Sequence, residues 1–503
     1  MKVVTIIAMA MPSLPESIGY GSIIHFLLCV VAILHILRKP NDARTSLLWI
    51  FITTSLPFFG VLAYVLFGIN TIPEKGWEKQ LSDSAFQNRQ SSHATHPLTT
   101  MRTRQKSFRT QPPAPENVQL NRIMDQIARN HPLLGGNAIT LLEPAEAALE
   151  TMFQAIREAR HSISLSTYIF GDDCVGKRLM GLLEERARAG VKVRLLYDAF
   201  GSAGPSLRLF FWRRRNVPNF RAVGYSQANI LKRKFQINPR NHRKILVIDG
   251  KEAFTGGINF YDIYLKRRNE EATIDYHFRV RGPIVLELQY TFLRDWYYMT
   301  DDPFDELLSH DLFPAPEKAG ETAVRLQNSG PTRDESETGL DTCIAAFNQA
   351  RRQILIVTPY FVPPEPLILA FRQAAYRGVE VKVLVPSTNN NPMVKLASQA
   401  LYETQLKSGI RIFERHPPFI HAKAMVIDDN TAIIGSANMD PRSLFLNYET
   451  NLVVFDTDFA ATLKATMLQD LAQSNEVTYS EWCRRPMRRQ LAENFFNLFH
   501  PVT

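Results

Sequence analysis

The sequence predicts an α/β protein of two tandem lobes, each a mainly parallel sheet flanked by helices, preceded by a two-helix transmembrane hairpin. Three observations predict it: two apolar runs near the N-terminus, an internal repeat of three segments in the same order, and a His-x-Lys-x4-Asp pattern ending each copy. At ~100–200 residues per domain, 503 residues allow two to four domains. With 45% hydrophobic and 21% charged residues the chain is of ordinary globular composition. Cys29, Cys174, Cys343 and Cys483 lie far apart with no CxxC pair, which excludes a disulfide framework and a thiolate zinc site.

The first elements are residues 17–37 and 47–69, two uncharged, mostly apolar runs of roughly the 20 residues that cross a bilayer. Two spans in tandem do not fit a secretory signal, which needs one shorter apolar stretch and a cleavage site. The turn between them carries Arg38, Lys39 and Arg44 against Asp42. Cationic residues close to a span stay in the cytoplasm, so this turn is expected there and the rest of the chain outside. Residues 71–120 are rich in Gln, Ser, Thr, His, Pro and Arg, and read as a polar flexible linker that cannot bury enough apolar surface to order itself.

From residue 121 the repeat sets the architecture, with lobes expected at 121–300 and 301–503. AIREARHSISLSTYIF (155–170) matches AAFNQARRQILIVTPYF (345–361), and RARAGVKVRLLYD (186–198) matches AYRGVEVKVLVP (375–386). HRKILVIDGKEAFTGGIN (242–259) matches HAKAMVIDDNTAIIGSAN (421–438). Strand and helix alternate in both copies, which implies a largely parallel sheet covered by helices.

The third segment carries the chemistry. His242, Lys244, Asp249 and Asn259 recur as His421, Lys423, Asp428 and Asn438, the Asn following Gly256-Gly257 in one copy and Gly435-Ser436 in the other. Side chains alternate along a strand, so His and Lys two apart share a face. A phosphodiester needs cations and amide donors on its oxygens, one neutral imidazole to attack and one protonated imidazole to release the leaving oxygen. Neither copy supplies both histidines. The histidine spacings hold no metal pattern, and two lysines in the site would repel a cation, so neither a metal nor another cofactor is expected.

These twin motifs resemble those of the phospholipase D superfamily, and the lobes are expected to be phospholipase D-like. The N-terminal hairpin, QINPRNHRK before the first motif, TPYFVPPE at 358–365 and SANMDPRSLFLNYETNL at 436–452 are similar to the bacterial cardiolipin synthases. The resemblance implies a phosphatidyltransferase of the bacterial cytoplasmic (inner) membrane, joining two phosphatidylglycerols into cardiolipin and glycerol through a phosphatidyl-histidine. It further implies that a carboxylate beyond each motif orients the histidine, Asp275 in the first lobe and Glu449 in the second. It makes His242, Lys244, Asp249, His421, Lys423 and Asp428 the catalytic set, with the two aspartates open to a structural role. Gly257 against Ser436 departs from symmetry.

Charge supports a lipid partner. Residues 205–244 hold eleven Lys or Arg and no Asp or Glu, interleaved with Phe210, Phe211, Trp212 and Phe235, a mixture suited to anionic phospholipid headgroups at an interface. At the C-terminus, Met487, Leu491, Phe495 and Leu498 form one helical stripe beside Arg484, Arg485, Arg488 and Arg489, suited to lying on the bilayer or packing on the second lobe. Alternative readings are a membrane-bound lipid hydrolase using the same site and a membrane-tethered nuclease. The apolar ends of the chain argue against a nucleic-acid partner.

Overall fold

The computed structural model describes residues 16–38, 43–65, 72–91, 102–202, 211, 216–225, 240–266, 271–300, 302–309 and 311–498. Most of the basic run at 205–244 lies outside them. The chain divides into two compact units at residue 73.

In the first unit, the helix Glu16–Arg38 covers the first apolar run, and its window Gly21–Arg38 has a mean hydropathy of 2.0. Among the described residues it is the one helix long and apolar enough to cross a membrane. The second run departs from the expected single span: it forms the helix Ala43–Ser55, breaks, and resumes as Phe59–Ala63. Pro57 is the reason, because it has no N–H for the helix ladder and its ring clashes with the preceding turn. Phe58 takes a φ of 59° to turn the chain. The chain doubles back so closely that a Cβ on Gly60 would lie 2.1 Å from the Ile52 carbonyl oxygen, so only glycine fits.

The second unit is built on one mixed sheet. Its strands are β1 (Leu134–Leu142), β2 (Ser162–Thr167), β3 (Lys192–Asp198), β4 (Phe220–Tyr225), β5 (Ile245–Ile248), β6 (Glu252–Gly256), β7 (His277–Arg281) and β8 (Thr322–Ser329). They continue as β9 (Gln353–Val357), β10 (Glu380–Pro386), β11 (Arg411–Arg415), β12 (Ala424–Ile427), β13 (Thr431–Gly435), β14 (Glu449–Phe455) and β15 (Ser474–Val477). Their order is β15-β11-β10-β9-β12-β13-β14-β8-β1-β7-β6-β5-β2-β3-β4. The repeat is visible in this order: β1 to β7 on one side mirror β8 to β14 on the other, joined where β1 pairs with β8.

The sheet is not mainly parallel. β2–β3, β3–β4, β9–β10 and β10–β11 are parallel. The other adjacent pairs, including β5 with both neighbours and β12 with both neighbours, are antiparallel. The cause is local. Each motif strand runs straight into a tight turn, Asp249-Gly250 in one lobe and Asp428-Asp429 in the other, with positive φ at both residues. Such a turn returns the chain beside the strand it left, whereas a parallel neighbour requires a long crossover. β5 and β12 are buried throughout, which explains their unbroken apolar sequences ILVI and AMVI.

The segment expected to be a flexible linker is largely ordered. It forms the helix Ile72–Ser91, which buries Lys79, Asp83 and Phe86, one face at i, i+4 and i+7. Phe86 packs on Tyr290, Tyr297 and Phe304. Lys79 Nζ lies 2.8 Å from Asp83 and 3.0 Å from Asp295. Further on, Arg102 pairs with Glu287 at 2.7 Å. Polar composition concealed this element because its anchoring face is itself charged.

Candidate active site

The two motif strands lie side by side in function because the segments preceding them cross between lobes. Asn241 bridges to Tyr448 and Ile274 bridges to Ile420. The N–H of His242 donates to the Tyr448 carbonyl at 3.0 Å, and that of His421 to the Ile274 carbonyl at 2.7 Å. Each histidine is thereby set beside the residue that follows its bridge partner in the opposite lobe. His242 Nδ1 is 2.9 Å from both oxygens of Glu449, and His421 Nδ1 is 2.8 Å from Asp275 Oδ2. The carboxylates do hold the histidines, but not those of their own lobes.

The electrostatics determine the tautomer. Burial would raise the Glu449 carboxyl, but His242 and Lys244 more than offset this and hold it below its ordinary value. Burial likewise acts on Asp275, and Lys423 and His421 overcome it. Both are therefore ionised and can only accept, so each Nδ1 carries the proton and each Nε2 keeps its lone pair. Burial, with repulsion from Lys423, pushes His421 down to about 4. Burial also lowers His242, against the attraction of Glu449. Lys244 is pushed down to about 7 and Lys423 to about 8, in both cases chiefly by burial. Each lysine acts on the other lobe's histidine as well as its own, which places the four groups in one site.

Lys244 Nζ donates to the His242 carbonyl at 2.9 Å, and Lys423 Nζ makes the equivalent bond to His421. An ammonium has three protons, so two remain for a ligand on each. Asn259 accepts from the Ile169 N–H at 3.1 Å, and Asn438 donates to Ser443 Oγ at 3.3 Å. Asn438 shares a small cavity with Lys423 and Thr358.

Asp249 and Asp428, grouped in sequence with the catalytic set, are not at the site. They lie at the far end of the motif strands. Asp249 accepts the backbone N–H groups of Arg160, His161 and Ser162, and Asp428 those of Arg351, Arg352 and Gln353. Each pins the start of the neighbouring strand, and neither is bonded to His242 or His421.

The two halves differ where the sequence departed from symmetry. Ser436 Oγ donates to Glu449 Oε2 at 2.5 Å. At the matching place a Cβ on Gly257 would fall 1.9 Å from Asp275 Oδ1, so the carboxylate itself occupies the serine's room. Tyr264 OH supplies the missing donor, 3.3 Å from Asp275 Oδ2.

Other residues escaped sequence reasoning. Arg243, between His242 and Lys244, faces the opposite way and is fully buried. It pairs with Asp295 at 2.7 Å and Glu335 at 2.8 Å, and its Nε donates to the Glu449 carbonyl at 3.2 Å. Lys79 of the helix Ile72–Ser91 shares Asp295. The signal was the contrast of Arg243 with Ala422 in the second motif. Tyr168 packs edge-on against the His242 ring with centroids 4.8 Å apart, and Tyr360 meets His421 at 6.4 Å. They are one place apart in the repeat: Thr167 matches Thr358, so Tyr168 falls opposite Pro359 and Tyr360 opposite Ile169.

The sequence profile described as "Cardiolipin synthase, PLD-like domain" matches residues 152–296 and 343–471. The cardiolipin synthase of Geobacillus kaustophilus (strain HTA426) is 34% identical over 480 residues, covering 92% of this chain and 89% of that protein. The chain belongs to the cardiolipin synthase family of the phospholipase D superfamily. Cardiolipin synthase A of Pseudomonas aeruginosa (strain LESB58), another member of the family, is 33% identical over 94% of this chain and 93% of its own. The profile "Phospholipase_D-nuclease N-terminal" covers residues 27–68. Among solved structures, phosphatidylserine synthase from Haemophilus influenzae Rd KW20 shares the fold, with a TM-score of 0.61 over 76% of this chain and all of its own at 16% identity.

Proposed function

We propose that the protein is a cardiolipin synthase, a phosphatidyltransferase that converts two phosphatidylglycerols into cardiolipin and glycerol. The observation that carries this reading is the crossed pair of histidines, each with its proton held on Nδ1 and a lysine beside it, in a chain of this family. His242 Nε2 attacks the phosphorus of the first lipid, and the bond from phosphorus to the glycerol oxygen breaks. His421, neutral in the empty site, takes up a proton on Nε2 as the bound anionic phosphate favours its imidazolium, and then gives that proton to the glycerol oxygen, so that glycerol leaves. A hydroxyl of the second phosphatidylglycerol then gives its proton to His421 and attacks the phosphatidyl-histidine, breaking the phosphorus–nitrogen bond and releasing His242. The assignment of His242 to attack and His421 to proton transfer follows the family resemblance. Lys244, Lys423 and the amides of Asn259 and Asn438 are the groups positioned to take the charge that builds on the phosphate oxygens.

Association with the bilayer is supported by the apolar helix Glu16–Arg38, whose Phe26, Leu27, Val31 and Leu34 are exposed. It is also supported by the helix Met487–Asn497, whose Met487 and Leu491 are exposed. Residence in the bacterial cytoplasmic membrane, with both apolar runs inserted, is the finer part of the proposal. Labelling of single cysteines introduced on either side of residues 47–69 tests it.

The deciding experiment incubates detergent-solubilised protein with phosphatidylglycerol alone, in excess EDTA, and identifies products by mass. Cardiolipin with equimolar glycerol is expected; phosphatidic acid as the sole lipid product would replace the synthase with a hydrolase.

A further inference from the structure

Joining two phospholipids requires places for two phosphates, and the two His-Lys pairs account for one. We propose that Arg240 and Arg442 form the second anion site, holding the phosphodiester of the acceptor lipid beside His242. The inference rests on the synthase reading.

Arg240 stands two residues before His242, as His242 stands two before Lys244, and in extended chain such residues share a face ~6–7 Å apart. Arg240 is 7% exposed, and its Nε has no hydrogen-bond partner among the described residues. Its guanidinium carbon lies over the Phe200 ring, 3.8 Å from the centroid, a cation–π contact. Asp198, the acid whose charge acts on Arg240, is already committed to the backbone N–H groups of Phe200, Gly201 and Asn241. A buried guanidinium over an aromatic ring, with an N–H that meets no acceptor among the described residues, is suited to a phosphate, whose oxygens match its planar fork.

Arg442 arrives from the second lobe. The Arg240 carbonyl accepts from Tyr448 N–H and the Arg442 carbonyl from Asn447 N–H, both at 2.8 Å, so consecutive residues tie the two arginines together. Both act electrostatically on Tyr168, whose ring lies against His242 and 5.5 Å from Lys244 Nζ. The pair therefore lies by Tyr168, the ring packed on the imidazole that would carry the phosphatidyl group. A phosphate seated there would place the headgroup hydroxyl of its own lipid, a glycerol's length away, at the reacting phosphorus.

The test reconstitutes the full-length protein in phosphatidylglycerol vesicles with labelled glycerol added. Glycerol and phosphatidylglycerol then compete for one phosphatidyl-enzyme, and only the second acceptor bears a phosphate. In Arg240→Met and Arg442→Met the ratio of cardiolipin to labelled phosphatidylglycerol should fall at least tenfold, with partial recovery in Arg240→Lys. Incorporation of labelled glycerol reports that the variant is folded, and Arg442→Met, at a half-exposed position, keeps the comparison open if Arg240→Met does not fold. An unchanged ratio, or equal loss of both products, overturns the acceptor site alone. Wild-type protein that yields phosphatidic acid and no cardiolipin overturns the synthase reading with it.

Discussion

His242 in the first lobe is held by Glu449 in the second, 207 residues away, with both carboxylate oxygens 2.9 Å from its Nδ1. Asp275 returns the arrangement to His421, so each lobe orients the other's histidine. One lobe alone would have a motif histidine free to rotate. The crossing makes the duplication obligatory for the site.

The crossed pairing predicts which ring responds to which substitution. Glu449→Gln should shift the ring nitrogen resonances of His242 in nitrogen-15 labelled protein and leave those of His421 nearly in place, while Asp275→Asn does the reverse. Each should lower kcat by about 10²–10⁴, the range for a misdirected acid–base group. A Glu449→Gln spectrum in which only His421 moves would contradict the geometry.

The buried lysines predict an alkaline limb. Burial lowers Lys244 to about 7 and Lys423 to about 8, so in the free enzyme both lose their charge as pH rises through this range. An uncharged amine cannot neutralise phosphate, whereas bound phosphate favours the ammonium and raises its pKa. kcat/KM should therefore fall as pH rises above about 7 to 8, with the limb in kcat displaced to higher pH. A flat kcat/KM across that range would show that the lysines stay charged without substrate.

Restoring sequence symmetry should damage the enzyme. Gly257→Ser places a side chain on Asp275, whose position is fixed by His421, Tyr264 and the Tyr276 N–H. The carboxylate must move, and His421 with it. Ser436→Gly removes one hydrogen bond from Glu449 and leaves Asn447 Nδ2 at 3.5 Å. Initial rates should fall far more in Gly257→Ser than in Ser436→Gly; equal losses would mean that the Asp275 carboxylate has room to shift.

Asp249→Ala should separate stability from chemistry. It leaves three backbone N–H groups without their acceptor, a loss of about 1–3 kcal/mol in a urea or thermal transition. Turnover per folded molecule should be unchanged, since Asp249 touches neither histidine. A large fall in kcat with an unchanged transition would return Asp249 to the catalytic machinery.

Much of the site was legible because it was written twice. His242 and His421, Lys244 and Lys423, and Asn259 and Asn438 recur at one spacing, and a motif repeated within a longer repeat identifies itself. The α/β class and the apolar N-terminal helix were equally legible, since both follow from local periodicity. Strand direction was not, because a three-residue turn and a long crossover leave similar apolar strands behind them. The helix Ile72–Ser91 was hidden because Lys79 and Asp83 read as solvent-facing until Asp295 is brought to them.

By itself, then, the sequence determined the chemical inventory: two imidazoles, two ammonium groups, two carboxylates and the apolar strands that carry the motifs. Only the tertiary structure decided who partners whom. Hydrogen bonds between Asn241 and Tyr448 segments and between Ile274 and Ile420 segments form across lobes, and no local pattern encodes contacts between residues 207 and 146 positions apart. That crossing sends Glu449 to His242 and Asp275 to His421, and it removes Asp249 and Asp428 to the far ends of their strands, because a strand that presents its first residues to the cleft must carry its last ones away from it.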